Sequence, residues 1–263
     1  MKNFPSYINE LFSLEGKVAV IIGGGGHICS SLAEGYALAG AALSIVDLRL
    51  EKALKIAKNI HSKHGTKAIY IEADAGNEDS LKNALSKILK EFPRIDILIN
   101  GAGKNSPKPF LEIPIEEWDD VMKSQITATM LGCKIFGRQM LKQKSGSIIN
   151  ISSASAGPPL SKAFAYSVAK AGIKNLTMNL AREWAMENVR VNAIRPGFFP
   201  TEWNKRNFIN PQREQAIFNH TPMKRFGEPD ELIGAAIWLA SDSSKFVTGA
   251  EITVDGGFSC MTI

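Results

Sequence analysis

Lys17-Val18-Ala19-Val20-Ile21-Ile22-Gly23-Gly24-Gly25-Gly26-His27-Ile28-Cys29 decides how the rest of the chain is read. Its first six residues are mostly β-branched and apolar, without polar alternation, which predicts a strand buried on both faces. The glycines that follow predict a tight turn, and residues 28–39 predict a helix closed by Gly40. In that order, strand, glycine turn and helix bring the backbone close to a pyrophosphate, whose charge rests at the helix N-terminus. A glycine run alone suits any sharp turn; the flanking strand and helix turn the reading toward phosphate.

The same alternation continues outward. Strands are predicted at 42–46, 68–72, 95–100, 147–151 and 190–194, with helices at 51–62, 78–92, 114–142 and 164–187 between them. Apolar strands separated by helices predict an α/β fold: a single-domain, Rossmann-type, doubly wound parallel sheet flanked by helices. No linker divides residues 1–263, so one domain is expected, with an N-terminal extension over about residues 1–14. Residues 197–226 break the rhythm, punctuated by Pro200, Pro211 and Pro222, with a short helix near 212–219. A segment of that length in a compact domain predicts a lid over a site.

Of the 263 residues, 44% are hydrophobic and 22% charged, the balance of a globular protein. No apolar run approaches the roughly 18 residues that span a bilayer, and residues 1–12 lack a signal peptide's apolar stretch. A cytoplasmic protein without a membrane partner is expected. Cys29, Cys133 and Cys260 form no disulfide framework and share no metal-ligand spacing with the four histidines, so no metal site is expected. The net charge of +5 is spread among acidic residues without a basic block, which argues against a nucleic-acid partner and for a small-molecule ligand.

Several side chains carry chemistry. Asp47 ends the second predicted strand, where a carboxylate accepts hydrogen bonds from ribose hydroxyls and repels a 2′-phosphate; it equally suits a turn or helix cap. The expected cofactor is therefore NAD, with NADP the less favoured, although Arg49 nearby can meet a phosphate. Tyr166 and Lys170 lie four apart on a predicted helix and so share a face, and Ser153 follows the strand at 147–151. A phenol with a reference pKa of about 10 is a poor base, and a neighbouring ammonium is expected to lower it. A Tyr–Lys spacing by itself means little.

The combination means more. The glycine turn, Asn100-Gly101-Ala102-Gly103, Ser153, Tyr166 with Lys170, Pro196-Gly197 with Thr201, and Val254-Asp255-Gly256-Gly257 resemble, in order and spacing, the short-chain dehydrogenases/reductases. The resemblance runs from about residue 14 to 258. It implies hydride transfer between a nicotinamide cofactor and a carbonyl or alcohol carbon, with Tyr166 as acid/base, Ser153 holding the oxygen, and Lys170 touching both phenol and nicotinamide ribose. It places Gly23, Gly25, Gly26, His27, Ile28, Asp47, Asp74, Ala75, Asn100, Gly101, Ala102, Pro196, Gly197, Phe199 and Thr201, with Tyr166 and Lys170, around the cofactor. Asp74 also suits the N-cap of the next helix, and Asn100 also supports the sheet core.

Three positions depart from the family pattern. His27 and Cys29 stand where the turn usually has its second and third glycines. His27 either donates toward the pyrophosphate or points outward. Gln125 occupies the place of the catalytic Asn, one methylene longer, which implies a slower or rearranged proton relay.

The stretches 196–202 and 220–229 are similar to the fructuronate/mannonate, sugar-acid branch of the family, which implies a sugar-acid or polyol substrate. Lys104, Lys205, Arg206 and Arg213 then become candidates for binding a carboxylate, or simply exposed loop charges. A 3-oxoacyl-thioester reductase and a cofactor-binding protein with weakened catalysis are the alternatives. The resemblance further implies a homotetramer or homodimer, paired through the 164–187 helix and again near residues 247–258.

Overall fold

Each strand expected from the sequence forms in the computed structural model, which describes residues 4–202, 205–206 and 209–261, the side chains of residues 4 and 5 excepted. The strands are β1 (Val18–Ile22), β2 (Ala42–Asp47), β3 (Ala68–Glu72), β4 (Ile97–Asn100), β5 (Gly146–Ile151), β6 (Val189–Pro196) and β7 (Glu251–Val254). All pair in parallel in the order β3-β2-β1-β4-β5-β6-β7. Every residue of β1 and β4 is buried, as strands covered on both faces require.

The helices are α1 (Phe4–Phe12), α2 (His27–Leu38), α3 (Leu50–His64), α4 (Glu78–Glu91), α5 (Ile115–Met122), α6 (Ala128–Gln143), α7 (Phe164–Trp184), α8 (Pro211–His220) and α9 (Ile233–Ala240). Two apolar clusters form the core, one on each side of the sheet. Val18, Val20, Leu98 and Ile148 face α4, α6 and the end of α7, while Ala19, Ile21, Ile97 and Ile149 face α2, α3 and α9.

Three features differ from the sequence reading. The single helix expected over 114–142 is interrupted by a π-helical turn, Lys123–Thr127, between α5 and α6. Strand β4 begins at Ile97 rather than residue 95, because Ile95 is tied to the Gln143 side chain through both its N–H and its carbonyl. α1, α9 and β7 were not foreseen. α9 is apolar almost all round, so it shows no helical stripe, and β7 is four residues long and carries Glu251.

Strand order reverses between β1 and β4. Their carboxyl ends therefore open a crevice, the position where such sheets bind ligands.

Candidate active site

One wall of the crevice is the glycine turn. Gly23 takes φ +77°, and a Cβ there would lie 2.7 Å from the Ala102 nitrogen after β4, so only glycine lets the two loops meet. Gly26, the N-cap of α2, has no side chain with which to accept from the first amides of the helix, and among the described residues no other side chain caps them. A turn with no side chains and an uncapped helix N-terminus fit a dinucleotide pyrophosphate. His27 begins α2 and is exposed. Glu202 is held below the usual carboxylate range by Lys205 first, with Arg206 and His27 adding to the effect.

Cys29 is buried, and a Cβ on Gly101 would collide with its sulfur. The glycine missing at 29 is thus matched by a glycine across the interface. Burial pushes the Cys29 thiol up to about 12, so it stays protonated.

Asp47 is buried at the end of β2 and braces the turn. Its Oδ2 accepts the Gly25 N–H at 3.0 Å, and its Oδ1 accepts the Arg49 N–H, also at 3.0 Å. Both carboxylate oxygens thus serve the turn. Asp74 does not cap α4, since Asn77 does so by accepting the Ser80 N–H. Asp74 instead accepts the Gly76 N–H at 2.8 Å and remains exposed, with Ala75 buried beside it. Asn100 turns its side chain into the core, donating to Asn150 Oδ1 at 2.9 Å. Only its backbone, with Gly101 and Ala102, borders the crevice.

The second wall carries the candidate catalytic groups. Ser153 follows β5 and begins a short 3₁₀ turn, Ala154–Ala156. Tyr166 and Lys170 stand on successive turns of α7, with the Lys170 ammonium 5.4 Å from the Tyr166 ring centroid. Lys170 is buried and donates to the Ile151 carbonyl at 2.6 Å. That carbonyl lies two residues before Ser153, so Lys170 joins α7 to the end of β5.

The expected lowering of Tyr166 by Lys170 does not hold in the protein alone. Burial raises the phenol above its ordinary value, and the hydrogen bond from Ser153 is what opposes the rise. Lys170 is itself pushed down to about 8 by burial.

Gln125 lies in the π-helical turn and is buried. Its Nε2 donates to the Lys104 carbonyl at 2.9 Å, and its Oε1 is buried without a hydrogen-bond partner among the described residues. The amide lies against Gly103, whose φ is +153° and whose Cβ would strike it. The extra methylene thus carries the amide to the loop after β4.

On the nicotinamide side, Gly197 lies so close to β7 that a Cβ would sit 2.7 Å from the Asp255 Cα. The Phe199 ring packs on Gly227, and Thr201 lies within the segment 197–226 expected to form a lid. Of the candidate carboxylate binders, Lys104 pairs with Asp120 at 2.7 Å and Lys205 with Glu202 at 3.0 Å. Arg206 is exposed and Arg213 begins α8 beneath its Asn210 cap. Residues 203–204 and 207–208 of the expected lid lie outside the described residues. A cavity of about 380 Å³ opens beside Phe198, Phe199 and Met223, but Ser153 and Tyr166 do not line it.

Sequence reasoning overlooked Arg195, Glu251 and Ser152, which form a buried polar cluster behind Ser153. Arg195, a charged residue in β6 immediately before Pro196-Gly197, was the available signal.

Among the described residues no helix is long and apolar enough to cross a membrane, and no three His, Cys, Asp or Glu side chains gather as a metal site. A family model described as enoyl-(acyl carrier protein) reductase matches residues 26–259. The chain is 41% identical to the "uncharacterized oxidoreductase UxuB" of Bacillus subtilis, over 94% of this chain and 96% of that one. It is 34% identical to the D-threitol dehydrogenase of Mycolicibacterium smegmatis, over 94% and 95% respectively. A crystal structure of gluconate 5-dehydrogenase from Burkholderia cenocepacia, in complex with NADP and tartrate, superimposes with a TM-score of 0.92 at 31% identity, covering 97% of this chain and all of the other (100%).

Proposed function

The chain belongs to the short-chain dehydrogenase/reductase family, and from that premise we propose that it interconverts a secondary alcohol and a ketone on a sugar acid or polyol. Support for the substrate class comes from the relatives, named for threitol and gluconate. The observation that carries the chemistry is the meeting of Ser153, Tyr166 and Lys170 beside the uncapped N-terminus of α2 at the strand-order reversal.

When bound, the nicotinamide dinucleotide supplies or takes the hydride. The protein handles the proton. Ser153, held at the end of β5, donates a hydrogen bond to the substrate oxygen and fixes it next to the Tyr166 hydroxyl. In reduction, Tyr166 gives its proton to that oxygen as the C–O bond becomes an alcohol; in oxidation it takes the proton back. Lys170 favours the phenolate that forms, at a site where burial alone would oppose it. Gln125 steadies the loop that closes the other side.

The same reading extends to cofactor choice and assembly. Asp47 favours NAD by meeting ribose hydroxyls, while Arg49 beside it gives a 2′-phosphate a partner. NADP, the cofactor present in the gluconate 5-dehydrogenase structure, therefore also binds. Subunits pair through the exposed apolar face of α6 and α7 as a homodimer or homotetramer.

A screen of sugar acids and polyols with both dinucleotides tests the assignment, run beside Tyr166→Phe. Turnover on at least one sugar acid or polyol is expected, and Tyr166→Phe should lose roughly a hundred- to ten-thousandfold in kcat with cofactor affinity intact. Turnover confined to acyl thioesters would overturn the substrate class, and an active Tyr166→Phe variant the mechanism.

A further inference from the structure

Behind Ser153 lies an ion pair that the proton chemistry leaves unused. Arg195, near the end of β6, faces Glu251 on β7, with Nη1 3.5 Å from Oε2 and both side chains only about a tenth exposed (11% and 10%). Each partner also grips the chain beside Ser153. Glu251 Oε1 accepts the Ser152 hydroxyl at 2.6 Å, and Arg195 Nη2 donates to the Ala154 carbonyl at 3.2 Å. The residues on both sides of Ser153 are thus held by the two ends of one ion pair. Glu251 Oε2 also meets Lys174 at 3.4 Å, one turn beyond Lys170 on the helix that carries Tyr166.

The loop is shaped to admit this pair. A Cβ on Gly157 would collide with the Arg195 guanidinium, so the backbone folds directly over it. Burying two charges gains little over a packed apolar pair when stability alone is at issue, because desolvation offsets their attraction. What charges give here is direction: a planar fork that reaches a carbonyl and a carboxylate that takes a hydroxyl.

We propose that Arg195 and Glu251 are positioning residues, which act on the reaction by fixing Ser153 against Tyr166. The proposal rests on Ser153 holding the substrate oxygen.

A double-mutant cycle tests it. Arg195→Met and Glu251→Gln are made in the parent enzyme and in Ser153→Ala, with kcat, KM and cofactor affinity measured for each. In the parent, each is expected to lower kcat by about ten- to a hundredfold, the scale of a small misplacement of a catalytic group. Cofactor affinity should stay within about twofold, which also reports that the fold is intact. In Ser153→Ala the same changes should cost less than about twofold more, since nothing remains to be positioned. If their full cost persists in Ser153→Ala, or the parent variants keep full kcat, the positioning role is overturned while Ser153 keeps its own. If Ser153→Ala alone leaves kcat unchanged, the role of Ser153 falls and this one with it. Glu251→Gln keeps an oxygen for Ser152 and so serves where Arg195→Met does not fold.

Discussion

Lys170 answers two demands that oppose each other. It must be charged to favour the Tyr166 phenolate and a ribose hydroxyl, yet burial pushes it down to about 8. Below that pH it carries its proton; as pH rises through about 8 the charge is lost. The value of kcat/KM for the reduced cofactor, which reports the free enzyme, is therefore expected to be level at lower pH and to fall above about 8. Tyr166 is raised above its ordinary value and stays protonated across this range, so it is not the source of that fall. Lys170→Arg, which keeps its charge, should abolish the bend at a lower overall rate. A bend that survives in Lys170→Arg assigns it to another group. Gln125 gives the second prediction at this scale. Its amide holds the Lys104 carbonyl at 2.9 Å, a reach that Asn lacks by one methylene. Gln125→Asn should lower kcat and increase hydrogen exchange of the loop after β4. A higher kcat would mean that Gln125 is only a weakened relay residue.

At the level of elements, α2 meets the β4 loop through Cys29 and Gly101. Gly101→Ala would overpack that contact and is expected to cost about 1–3 kcal/mol, with weaker cofactor binding. Adding Cys29→Gly should restore most of both, measured by thermal unfolding and titration; independent losses would refute the compensation. The turn between these elements was legible in the sequence because a buried strand, glycines and a helix are local patterns, and local patterns were read correctly for β1, β2 and β3. Tyr166, Lys170 and Ser153 were legible only jointly, through their order along the chain. The π-helical turn was not, since residues 115–143 have continuous helical character and the contact Gln125 makes from that turn reaches a loop 21 residues away. Arg195 and Glu251 also escaped, because their pairing joins strands 56 residues apart in sequence. That Asp47 also braces the glycine turn was one of its two open readings, and it rests on a contact with Gly25, 22 residues away, that no local pattern carries.

On the whole molecule, α7, which carries Tyr166 and Lys170, is covered on one side only. Along α7, Phe164, Val168, Ala171, Asn175 and Met178 follow one another at spacings of three and four and are all exposed. Phe110 packs against Phe164 with tilted rings whose centroids are 5.2 Å apart, and Leu111, Ile115 and Met130 are exposed on the neighbouring segments. An apolar stripe of this kind, bordered by polar residues, marks a surface that another protein buries. Its repetition on an identical chain permits a two-fold pair in which α7 meets its own copy, the small Ala171 at the centre allowing close approach. Val168 lies between Tyr166 and Lys170 in sequence, so pairing there would also stiffen the turn of α7 that carries both. The parent protein is therefore expected to be a dimer or tetramer by light scattering at micromolar concentration. Val168→Glu combined with Met178→Glu should yield a smaller species with reduced kcat, because two charges would be buried against their own copies. A parent that is a stable monomer would refute the pairing. A variant that stays assembled would place the contact elsewhere, near the fully exposed Phe246 that precedes β7.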